Sequence, residues 1–71
     1  MEHFTGILVK SESGRGYTAI VAEYPGIIAE AETKEEARKI LGKNLQLVLE
    51  YKRKQTLETY PDAEIESFAL A

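Results

Sequence analysis

The sequence predicts an α+β fold in the order β-β-β-α-β, an antiparallel sheet with one long helix on one face. Three observations carry this prediction. Residues 33–54 form a capped, proline-free stretch with apolar residues at helical spacing. Three short runs rich in β-branched and aromatic residues precede it, separated by turn residues. A short apolar tail follows it, after Pro61 and Asp62. No internal repeat, low-complexity segment or linker interrupts the 71 residues, so 1–71 reads as a single domain.

Residues 1–10 read as the first strand. His3, Thr5, Ile7 and Val9 point one way, and Phe4, Gly6, Leu8 and Lys10 the other. Residues 11–16, S-E-S-G-R-G, are a turn cluster and mark a hairpin. They contain no G-x-G-x-x-G and no G-K-[ST], and they do not join a strand to a helix, so phosphate cradling is not expected of them. Residues 17–23, Y-T-A-I-V-A-E, form the second strand. Tyr24-Pro25-Gly26 is expected to break it, with Pro presetting φ and Gly26 taking the positive φ of a type II turn. Residues 27–32 make a short third strand. Residues 64–70 alternate imperfectly and read as a fourth.

The helix opens on Thr33, with Glu36 three residues later, as in a capping box. Glu35 and Glu36 suit the positive end of the helix dipole. Lys52, Arg53 and Lys54 suit the negative end, and dipole and solvation account for this basic run. The apolar arc runs through Ile40, Leu47, Tyr51, Ala37, Val48, Leu41, Leu45 and Leu49. It spans roughly 200°, about twice what one sheet face requires. Either the C-terminal segment shields its edges, or half of it packs on another chain. The second reading is preferred and places an oligomer interface at Asn44, Leu45, Val48 and Leu49. Asn44, inside the arc, must find a partner, either a local backbone group or its equivalent across a two-fold axis.

Size points the same way. A domain this small buries only about 60% of its unfolded surface. Without cysteine it has no disulfide or thiolate metal site to staple it, so a homo-oligomer, dimer or tetramer, is expected. The net charge of −3 suits a basic partner and argues against gripping a phosphate backbone. No signal peptide and no membrane span are apparent, so a cytoplasmic protein is expected. The richness in Glu, Lys and Arg follows the thermophile trend.

Little in the chain suggests catalysis. His3 is the lone histidine and lies near a terminus. No serine stands in a nucleophile elbow. Glu23, Glu30 and Glu32 read as solvated edge charge that discourages aggregation. No enzyme activity, cofactor or metal is therefore expected. Among the tyrosines, Tyr24 stands beside Pro25 and Gly26, where a rim aromatic can anchor a partner. Tyr24, Pro25 and Gly26 are the candidate partner-binding residues.

The run Y-T-A-I-V-A-E, then Y-P-G-I-I-A-E-A-E-T-K-E-E-A, then an apolar helix, resembles the HicB-like antitoxin family and its small stand-alone relatives of unknown function. Pro25, Gly26, Thr33, Glu35, Glu36 and Ala37 match the family pattern of a Pro-Gly turn, a short strand and T-x-E-E-A opening the main helix. The resemblance implies a partial ribonuclease H-like domain without nuclease activity, usually oligomeric. It implies a module that neutralises a small basic ribonuclease toxin. Few residues follow the helix, so the family's DNA-binding segment is not expected and neither is direct nucleic-acid binding. The alternative is a self-associating structural or ligand-binding protein with no toxin partner.

Overall fold

The computed structural model describes residues 3–69. It contains three antiparallel strands followed by one long helix. β1 is Gly6–Lys10, β2 Tyr17–Val21, β3 Tyr24–Ala31, and α1 Lys34–Thr59. The sheet is a meander in the order β1-β2-β3. The expected α+β architecture of sheet and covering helix is present.

β1 and β2 pair from Lys10↔Tyr17 to Gly6↔Val21. The hairpin between them is the expected turn cluster. Gly14 and Gly16 take φ of 80° and 77°, a region that only glycine enters cheaply. Ser11 closes the loop, its N–H donating to Gly16 O and its hydroxyl to Arg15 O. The strand begins later than expected, at Gly6, and Met1 and Glu2 lie outside the described residues.

The second hairpin differs from expectation. The turn is Ala22-Glu23, and Tyr24-Pro25-Gly26 lies within β3. Val21 pairs with Tyr24 and Ile20 with Ile28, so Pro25, Gly26 and Ile27 bulge out of register. Gly26 does not have positive φ; among the described residues only Gly14 and Gly16 do. The physical reason is twofold. Proline cannot donate to a ladder, and a bulge at an edge strand removes that demand. The tighter turn is held from outside: Ala22 N–H donates to Thr5 O at 2.8 Å, and Glu23 Oε1 accepts from Thr5 N–H at 2.8 Å.

The helix starts where the sequence places it. Thr33 is the N-cap, its Oγ1 accepting from Glu36 N–H at 3.1 Å. It ends five residues beyond the expected Lys54. The hydroxyls of Thr56 and Thr59 donate to the carbonyls of Lys52 and Gln55 at 3.0 Å each, and Gln55 donates to Tyr51 Oη. Tyr60, which precedes Pro61, stops it. The basic run 52–54 therefore lies inside the helix, and the last turn carries no basic residue, so the expected dipole complement at that end is absent.

The expected fourth strand is not formed. Residues 63–69 have no regular structure and are exposed, and Leu70 lies outside the described residues. A 26-residue helix is about 39 Å long, whereas even the eight-residue β3, the longest strand, spans only about 27 Å. The helix therefore delivers the tail beyond its own sheet.

Helix and sheet meet through a thin core of Ala19, Val21, Ile27, Ala29, Ala37 and Leu41. Three of the six are alanines, which lets the helix axis approach the sheet closely. Leu8, Tyr17, Ala31, Leu45 and Val48 pack around them. The other sheet face is not covered. Ile7, Ile20 and Ile28 stand side by side across it in register, with Val9 beside Thr18.

Candidate partner-binding groove

The sequence places Tyr24, Pro25 and Gly26 together, and the fold gives them a setting. The bulge turns Ile27 inward, where it is buried, and leaves Tyr24, Pro25 and Gly26 exposed. The helix passes alongside with Val48 and Lys52. Between them lies an open, mainly apolar groove of ≈ 440 Å³. Glu23 stands at its strand side and Lys52 at its helix side. Tyr24 is 39% exposed, and its ring is braced by Phe4, centroids 6.1 Å apart and tilted 41°. Such a braced aromatic presents apolar area with little rotamer freedom left to lose.

Glu23 is held from the far side of the turn. Hydrogen bonds from Thr5, the backbone N–H first, lower its carboxyl below the ordinary glutamate range. It thus keeps a negative charge at the rim of the groove well into mildly acidic solution. Neither Phe4 nor Glu23 was among the expected partner-binding residues. Their part depends on the pairing of residues 4 and 5 with a turn far along the chain, which no local pattern reveals.

The helix residues expected at an oligomer interface divide differently. Leu45 and Val48 are half-buried and pack on the chain's own core. Asn44 is also half-buried. Its Nδ2 donates to Ile28 O of β3 at 3.2 Å, which meets its need for a partner within the chain. Leu49 is half-buried beside Gly42, Gln46 and Arg53. The part of the arc left to water is the other edge, with Leu47 57% and Tyr51 62% exposed.

The acidic residues do not converge. Glu23 lies in a turn, Glu30 on the uncovered sheet face and Glu32 just before the helix. Among the described residues no group of three or more His, Cys, Asp or Glu side chains is placed to hold a metal ion. No helix among them is long and apolar enough to cross a membrane. The hairpin forms a second groove between Ser11, Ser13 and Arg15 on one side and Glu30 and Glu32 on the other, a polar setting of mixed charge. Comparison with protein-family models, curated proteins and solved structures gives no match.

Proposed function

We propose that this chain is a non-catalytic protein-binding module of the HicB antitoxin type, which neutralises a small basic ribonuclease toxin. The observation that carries the reading is the groove beside Tyr24. It combines a braced, exposed aromatic with an apolar floor of Ile27 and Val48, and Glu23 holds its charge at the rim. Aromatic anchors in apolar pockets dominate many protein interfaces. The chain's net charge of −3 favours encounter with a basic partner. Binding there requires no nuclease chemistry from this chain: covering the toxin's basic surface keeps RNA away from it.

The test is co-purification of the tagged chain from its own cells, followed by a nuclease assay. The expected result is a small basic protein at near-equal stoichiometry, with ribonuclease activity that the purified chain abolishes at equimolar ratio. Tyr24→Ala should weaken that inhibition by tenfold or more. A nuclease unaffected by added chain would overturn the reading, and so would full inhibition by the Tyr24→Ala protein for the groove. A second reading, self-association with a structural or ligand-binding role and no toxin partner, is supported by the large surface the single chain leaves exposed.

A further inference from the structure

We propose that two copies of this chain exchange their C-terminal arms, and that residues 64–69 of each copy pair along the free edge of β1 in the other. This inference deepens the self-association reading and does not depend on a toxin partner.

Area decides that the single chain is incomplete. A compact monomer of 8.0 kDa exposes about 4,450 Å². This chain exposes 6225 Å², about 1,800 Å² more. A standard interface needs about 800 Å² from each partner. The radius of gyration agrees: 15.3 Å, against about 11 Å for a compact chain of 71 residues.

The surplus has a location. From Tyr51 to Thr59 every helix residue is exposed, a length of about 13 Å that runs on past the β2–β3 turn. Beyond it, Ile65 is 74% and Phe68 85% exposed. Folding the tail back onto its own sheet would leave Tyr51 and Leu57 of the helix overhang uncovered. A second copy covers both overhang and tail. Because each copy gives and receives the same arm, the contact closes at two chains and does not run on into a filament.

The receiving edge is β1 and not β3. The open edge of β3 is interrupted by Pro25 and its bulge, and Asn44 reaches Ile28 O beside it. β1 is five residues long and without proline, and its other neighbour, β2, is already paired. The faces match as well. A strand over 64–69 places Ile65 on one face and Phe68 on the other. β1 presents Ile7 and Val9 on the uncovered face and Leu8 towards the core. The arm therefore extends the row Ile28, Ile20, Ile7 on one side and the core on the other.

The experiment has two parts. Light scattering on the full chain should give twice the chain mass. Then Ser67→Cys, the sole cysteine, is labelled with a benzophenone maleimide. Chains grown in ¹⁴N and ¹⁵N are mixed 1:1, unfolded and refolded together, and irradiated. Mass spectrometry should find residue 67 joined to residues 6–10 of the opposite isotope. Links confined to chains of one isotope would place the tail on its own sheet and overturn the exchange. Links elsewhere than β1 would overturn the assigned edge, and a single-chain mass would overturn both. Ile65→Asp with Phe68→Asp should return the mass to that of one chain. The cross-link needs no substitution of a packing residue, so it decides the question even where that double variant fails to fold.

Discussion

Gly16 shows how a single position can carry two constraints. Its φ of 77° alone disfavours any side chain, and a Cβ there would also lie 2.8 Å from Ala31 O. Gly14 has nearly the same φ and open space around it. Both Gly→Ala variants should be destabilised, Gly14→Ala by about 1–2 kcal/mol from backbone strain alone. Gly16→Ala should lose more, and urea unfolding of the pair separates the clash from the strain. Thr33→Ala should cost about 1 kcal/mol through loss of its hydrogen bond from Glu36 N–H. A melting temperature unchanged by that substitution would place the helix start elsewhere. Glu23 adds a dependence on pH. Its carboxyl is lowered in the folded state, so its contribution is complete above the ordinary glutamate value of about 4.3. That contribution is lost as the pH falls through the lower folded value. Melting temperatures of the natural chain and Glu23→Gln should therefore differ at neutral pH and converge in acid.

At the scale of elements, the helix is the informative case. Its apolar arc is wider than one sheet covers, and this was legible in the sequence. Which half of the arc faces the sheet was not. Asn44 settles the rotation by donating to Ile28 O, and this turns Leu45 and Val48 inward and Leu47 and Tyr51 outward. Leu45→Glu should therefore lower stability by about 2 kcal/mol or more, because it places a charge against the core. Leu47→Glu should leave the melting temperature of the fold within a few degrees of the natural chain. The reverse order of the two effects, read by circular dichroism, would mean that the helix packs the other way, and equal effects would mean that neither side alone faces the core. The same reasoning explains the second hairpin. Pro-Gly is a strong local turn signal, and here Thr5 outbids it by binding both Ala22 and Glu23.

At the scale of the whole molecule, the thin core and the large exposed area belong together. Val21 is the largest side chain buried to within 2%, and alanines fill much of the rest. Ile7 and Ile28 stand exposed on the uncovered sheet face, beside a helix that overhangs the sheet, and this is the surface that the proposed exchange would cover. An exchanged dimer couples folding to association. Its melting temperature should rise with protein concentration over the micromolar range. A melting temperature independent of concentration, at a mass of two chains, would mean that each chain folds alone and associates only later.

Local patterns in the chain were enough for the fold class, the order of the three strands and the helix, the hairpin at residues 11–16 and the cap at Thr33. Each rests on residues close together in the chain: glycine at positive φ, a hydroxyl three residues from an N–H, and apolar spacing of two or 3.6. The sequence also showed a helix with more apolar surface than one sheet takes up. The place of the second turn, the rotation of the helix, the bracing of Tyr24 by Phe4 and the course of the tail emerge only once the chain is folded. Those depend on contacts between residues far apart in sequence. Thr5 binds the turn at 22–23, Asn44 binds β3, and a helix longer than its sheet carries residues 64–69 past the edge they were expected to complete.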